Sequence, residues 1–154
     1  MKRLLGVSVI LLVAAMDLGT KAWARSGLHE AQPYELLPFF DLTLGFNRGV
    51  SFGLFAASAS PWPVIFITAV GTAIFAAWFW RTARSGEQLA LALIVGGALG
   101  NLVDRLQRGA VTDFLDLHAA GRHWPAFNLA DTAIVSGAAL LLWCALSARK
   151  QTST

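Results

Sequence analysis

Between Trp62 and Trp80 the chain carries no charged residue. An α-helix needs about 20 apolar residues to cross the hydrocarbon core of a bilayer. Lipid offers no hydrogen bonds, so a spanning segment must satisfy its own backbone, which a helix does. Pro61 and Pro63 open the run, and Trp62, Trp78 and Trp80 mark its ends, as aromatic residues do at membrane interfaces. Three more apolar runs follow the same logic: Leu4 to about Trp23, about Gln88 to Val103, and about Leu129 to Ser147. Composition agrees, with 56% hydrophobic and only 14% charged residues, where soluble domains carry about 25% charge. Lys2 and Arg3 before an apolar run, with Ala22-Trp23-Ala24 behind it, have the layout of a secretory signal. Asp17 and Lys21 interrupt the approach to that site, so the first run is expected to stay as a helix.

The 154 residues are therefore expected to form one α-helical integral membrane domain, residues 1–154, with four transmembrane helices. The formal charge of +3 does not imply a nucleic-acid partner, because the basic residues sit at the ends of apolar runs rather than in a stripe. Of the 12 Lys and Arg, half lie on the side of the termini (Lys2, Arg3, Arg81, Arg84, Arg149, Lys150) and half on the other (Lys21, Arg25, Arg48, Arg105, Arg108, Arg122). The first group lies in short tails and a short loop, whereas several of the second sit beside carboxylates. That contrast favours both termini inside, with extracytoplasmic segments at about 25–60 and 106–127.

In the first of these segments Phe40, Leu42, Leu44 and Phe46 alternate with Asp41, Thr43 and Gly45, the period of a strand. Asn47-Arg48-Gly49 is turn-prone, and Val50, Phe52 and Leu54 alternate again. A β-hairpin cradle over Phe40–Phe55 is expected, its apolar face resting on the bilayer or covering a groove. The second segment reads as a short loop or helix, and Gly109 and Gly121 at its ends suit a hinged lid.

Against this apolar background the polar residues stand out. Asp17 and Lys21 are four apart on one helix face and can pair. Asn47, Asn101, Asp104, Arg105, Asp113, Asn128 and Asp131 all fall toward the outer side, where apolar runs meet loops. Carboxylates beside hydrocarbon are costly and usually face a polar interior. Asp113 and Asp131 come from different segments, and two such groups in a water-poor site can work as an acid and base pair, one keeping a proton the other has lost. Plainer readings exist for each: Asn128 with Asp131 resembles a helix N-cap with an acidic third residue, Asp104 and Arg105 a polar belt, Asp113 a loop residue, and Asn47 a turn residue. Asp116, His118, His123 and His29 show no recognised ligand spacing, so no metal or other cofactor is expected. No G-x-S-x-G elbow or Ser-Lys signature is present, and the lone Cys144 cannot form an intrachain disulfide. On residue chemistry alone, a transporter or channel subunit relaying ions through the same carboxylates remains open. So does an assembly factor binding partner helices through Gly96 and Gly100, a G-x-x-x-G pair.

Five short motifs in order, Asp17-x-x-x-Lys21, Asn47-x-Gly49-Val50-Ser51-Phe52, Gly100-Asn101-x-x-Asp104-Arg105, Val111-x-Asp113-Phe114 and Phe127-Asn128-x-Ala130-Asp131, resemble the bacterial lipoprotein signal peptidases. The resemblance implies a multi-pass aspartic endopeptidase of the inner membrane, with its site near the periplasmic face. Its substrates would be diacylglyceryl-modified prolipoproteins, cut just before the lipidated cysteine, and its partners the signal peptides and membrane lipid, with the enzyme a monomer. Asp113 and Asp131 match the family's catalytic pair, Asn47, Asn101, Arg105 and Asn128 its substrate-binding groups, and Asp17, Lys21 and Asp104 supporting positions. Leu18 departs from the pattern, since many members carry glutamine after the first aspartate.

Overall fold

A computed structural model of the chain describes residues 3–30, 32–49 and 60–151. Four helices, α1 (Arg3–Gly27), α2 (Trp62–Arg81), α3 (Ser85–Arg108) and α4 (Leu129–Gln151), are joined on one side by four strands, β1 (Tyr34–Leu37), β2 (Phe40–Asn47), β3 (Val111–Ala119) and β4 (Arg122–His123). All four helices are long and apolar enough to cross a membrane, and each runs past the bounds expected from charge alone.

The helix α3 is central and packs against the other three. Most of its inner turns are buried, whereas α1, α2 and α4 leave large apolar side chains such as Leu11, Phe66, Val135 and Trp143 exposed. In a membrane protein that outward surface faces lipid. Small residues make the central position possible. A Cβ on Gly96 would lie 2.8 Å from Val13 Cβ and one on Gly100 would lie 2.4 Å from Asp17 Oδ2, so the G-x-x-x-G face receives α1. Gly97, turned to the other side, admits the main chain of α4: its Cβ would stand 2.4 Å from the Ala130 carbonyl oxygen. Without a hydrophobic force between helices in lipid, such close backbone approach is what holds them together. Toward the end bearing Trp80, Phe79, Leu91 and Ala92 form an apolar core with Val7, Ile10, Phe75 and Leu141.

The strands make one antiparallel sheet in the order β1-β2-β3-β4. Strand β2 is where its alternation placed it. The neighbours of β2 are β1 and β3, and the returning arm expected at Val50–Leu54 lies outside the described residues. The 106–127 segment also differs from the loop or helix expected. It is mostly β3, hydrogen-bonded to β2 on one side, and Ala110 through Phe114 are buried. A strand paired in mid-sheet is not a hinged lid. Gly109 instead ends α3 in the left-handed conformation, φ 73°, where its N–H donates to the Arg105 carbonyl at 2.8 Å. Between Leu42 and Gly45, β2 has one residue more than β3, and this bulge sets Gly45 opposite Asp113.

Candidate active site

Two backbone devices bring Asp113 and Asp131 to one place. Asp113 lies near the start of β3. The chain returning from β4 is clamped beneath it, since the Phe114 and Leu115 N–H groups donate to the Phe127 carbonyl at 3.0 and 2.9 Å and Phe127 N–H donates back to Leu115. The next residue, Asn128, caps α4. Its Oδ1 accepts from Asp131 N–H at 3.0 Å, and Asp131 Oδ2 accepts from Asn128 N–H at 3.3 Å. This reciprocal capping box satisfies donors that a helix start leaves free. The plain reading of Asn128 as a helix cap is thus what the structure shows. With its oxygen committed to the helix, the amide nitrogen must turn the other way, where Nδ2 donates to Asp113 Oδ1 at 2.6 Å. One asparagine therefore bridges the two carboxylates.

Asn101 on α3 holds the other side of Asp131, donating from Nδ2 to Oδ1 at 2.8 Å. Its own oxygen accepts from Lys21 Nζ at 2.7 Å and from Asn128 Nδ2 at 3.3 Å. Lys21 also donates to Asp17 Oδ2 at 2.7 Å, and both members of this pair are fully buried. Asp17 Oδ1 in turn accepts from Ala130 N–H in the first turn of α4, at 2.9 Å. Lower on α1, Arg25 donates to Thr112 Oγ1 and Asp104, and Asp104 accepts from Thr112 N–H at 2.7 Å, fastening the start of β3 to α3. Arg25 and Thr112 were not foreseen as site residues. The signal for Arg25 was present, because Asp17, Lys21 and Arg25 recur every four residues on one stripe of an otherwise apolar helix.

The Asn47 side chain hydrogen-bonds Asp113 and also accepts from Gly49 N–H at 3.0 Å, an ordinary turn contact. Arg105 Nη2 donates to the Gly49 carbonyl at 2.9 Å, pinning that turn over the site. The residues expected to be catalytic, substrate-binding or supporting thus meet in one network. Asp116 and the histidines do not join it: His123 pairs with Asp116 and His118 with Asp41 on the sheet.

Asp113 is 4% exposed. Burial, and then the negative charge of Asp131, push its carboxyl up to about 7, against the hydrogen bonds from Asn128 and Asn47 that pull it down. A carboxyl poised there can both hold and release a proton at neutral pH. Asp131, Asn101 and Arg105 also line a cavity of about 240 Å³ that runs between α2, α3 and α4 past Thr68, Gly71 and Phe75. Among the described residues no three carboxylate, imidazole or thiolate groups are gathered as metal ligands.

Comparison with known proteins points one way. A family described as Signal peptidase (SPase) II matches residues 9–147. The lipoprotein signal peptidase of Polynucleobacter necessarius subsp. necessarius (strain STIR1) is 46% identical over 145 residues, covering 92% of this chain and 87% of its own length. That of Burkholderia thailandensis is 46% identical over 143 residues, covering 90% and 84%. A bacterial membrane enzyme solved by the in meso method at 2.3 Å resolution has a similar fold, with a TM-score of 0.81 at 27% identity over 92% of this chain and 87% of that one. A second, at 1.9 Å, gives 0.80 at 28% identity over 92% of each.

Proposed function

This chain belongs to the signal peptidase II family, and we propose that Asp113 and Asp131 are the pair of carboxylates with which it cleaves. It is an aspartic-type peptidase, a multi-pass protein of the bacterial membrane, and it removes signal peptides from prolipoproteins. The observation that carries the proposal is Asn128, whose side-chain amide donates to the Asp113 carboxylate while its main-chain N–H donates to that of Asp131, in a helix cap that fixes its orientation.

Asp131 acts as the carboxylate and Asp113 carries the shared proton. Both Asp131 oxygens accept N–H groups, from Asn101 and from the Asn128 backbone, while Asp113 lies where burial favours its protonated form. Asp131 draws a proton from water as that water attacks the scissile carbonyl carbon. Asp113 gives its proton to the carbonyl oxygen, forming a tetrahedral diol. The C–N bond then breaks as the diol returns a proton to Asp113 and the amine leaves with the one held by Asp131. The pair ends with one proton, as it began. No covalent intermediate forms and no cofactor is required.

The substrate is a prolipoprotein whose cysteine carries diacylglycerol, cut on the N-terminal side of that cysteine. Its signal helix and lipid enter sideways from the bilayer, a route supported by the cavity between α2, α3 and α4, which ends at Asp131. Asn47 and Arg105 hold the substrate backbone from above. Arg105 Nε is buried and has no hydrogen-bond partner among the described residues, which leaves a donor for a substrate carbonyl. The enzyme works as a monomer in the inner membrane, with termini in the cytoplasm and the site near the periplasmic face.

The test is cleavage of a diacylglyceryl-modified prolipoprotein by purified wild type, Asp113→Asn and Asp131→Asn, with unlipidated precursor and chelator as controls. Both folded variants should be inactive, chelator should have no effect, and unlipidated precursor should be spared. Cleavage by either variant would refute the pair. An inert wild type that conducts ions in vesicles would point to the transporter reading instead.

A further inference from the structure

The network behind Asp131 closes on itself. Asp17 accepts from Ala130 N–H and from Lys21, Lys21 donates to Asn101, Asn101 donates to Asp131, and Asp131 is bonded to Ala130 through the chain. Three helices, α1, α3 and α4, contribute to this ring, and Gly100 leaves room for Asp17 within it.

An asparagine amide has an oxygen end and a nitrogen end, and which faces which neighbour decides whether it can serve a carboxylate. An ammonium group has only donors. At 2.7 Å from Lys21 Nζ, the Asn101 atom must therefore be the oxygen. Nδ2 is then forced toward Asp131, and the reverse orientation would strand the ammonium against an N–H group. Lys21 has no exposed surface, so in the intact protein this donor is the ammonium and not bulk solvent. The other charged groups around the ring are Asp17 and Arg25 from α1, Asp104 and Arg105 from α3, and Asp113 from β3.

We propose that Lys21 is a positioning residue for the reaction: its buried ammonium locks the Asn101 amide so that an N–H, never a C=O, faces Asp131. The proposal rests on the assignment of Asp131 to the reacting pair. Without the ammonium only the longer 3.3 Å bond from Asn128 Nδ2 holds the Asn101 oxygen, and a flipped amide presents oxygen to Asp131, where the carboxylate is displaced or takes up the proton meant for Asp113. Misplacement of a reacting group by about 1 Å costs on the order of 100-fold in rate.

The test compares two charge-neutral double variants. Asp17→Asn with Lys21→Met keeps an oxygen for the Ala130 N–H but removes the donor to Asn101. Asp17→Asn with Lys21→Gln restores a neutral N–H donor at the same place. Each is assayed on lipidated precursor for kcat and KM, with Tm measured in the same detergent. The methionine variant should lose on the order of 100-fold in kcat with little change in KM, and the glutamine variant should regain at least about tenfold at similar Tm. Equal kcat in the two variants, whether high or low, would overturn the proposal, because a purely structural role of the pair does not distinguish a thioether from an amide.

If the methionine variant does not fold, Asn101→Asp decides. It keeps an oxygen for Lys21 but turns an oxygen to Asp131, so activity should fall at neutral pH and recover partly as acid supplies the missing proton. A wild-type rate and pH profile in Asn101→Asp would refute the proposal. Activity in Asp131→Asn, run alongside, would instead refute the aspartate pair on which the proposal rests.

Discussion

Replacing Gly97 with alanine adds one uncharged methyl group in the middle of α3, yet it should cripple the enzyme. The new Cβ would stand 2.4 Å from the Ala130 carbonyl oxygen and 3.0 Å from Ile134 Cγ1. The oxygen belongs to the main chain of the first turn of α4 and cannot rotate aside. To reach a tolerable 3.0 Å the turn must retreat by about 0.6 Å, and by about 1 Å to reach ordinary contact. Asp131 is the next residue and moves with it, away from Asn101. Overpacking of this kind costs about 1–3 kcal/mol of stability, whereas a shift of about 1 Å in a reacting group costs on the order of 100-fold in rate. Activity should therefore suffer well before folding does. Gly19→Ala is the control, because its Cβ meets nothing within 4 Å and alanine favours a helix by about 1 kcal/mol. The assay is kcat/KM on a fluorescent lipopeptide together with Tm in detergent. If Gly97→Ala cleaves within about threefold of wild type while Asp131→Asn is dead, the tight coupling of α3 packing to Asp131 is wrong.

Other outcomes follow from the same geometry. Because Asp113 is pushed up to about 7, kcat/KM should fall as pH rises through 7 with the loss of one proton, and a flat profile to pH 9 would contradict its role as the acid. The native state binds a proton at Asp113 that the unfolded chain releases near 4, so this residue's contribution to stability declines between about pH 4 and 7. Asp113→Asn should therefore raise Tm at pH 8 while abolishing cleavage, and an unchanged or lower Tm would count against the burial argument. Asp104→Ala strips partners from Lys21, Arg25, Arg108 and the Thr112 N–H. It should cost about 3–5 kcal/mol, read from thermal unfolding. Arg105→Lys carries all its donors on a single nitrogen and cannot hold the Gly49 carbonyl while also placing an N–H where Nε stands, so KM should rise more than kcat falls; steady-state kinetics on the same lipopeptide check this.

The helices were legible because lipid imposes one rule on every residue of a span: a charge inside an apolar run is visible at a glance. The capping box of Asn128 and Asp131 was legible for a similar reason, since its partners are three residues apart. Strand β3 was not. An amphipathic strand is recognised by the contrast between its faces, and in Val111-Thr112-Asp113-Phe114 both faces are buried while one of them carries the acid. Burial of both faces has erased the alternation that would have revealed the strand. The bond from Asp17 to Ala130 was invisible too, since it joins residues 113 apart and leaves no local pattern.

That long bond also orders the events of synthesis. Lys21 and Asp17 enter the membrane early, Asn101 follows, and Asp131 arrives only with the fourth helix, whose first turn Asp17 must then cap. A chain that stops before Leu129 therefore lacks Asp131, half of the proposed pair, and leaves Asp17 without the Ala130 N–H that it accepts from.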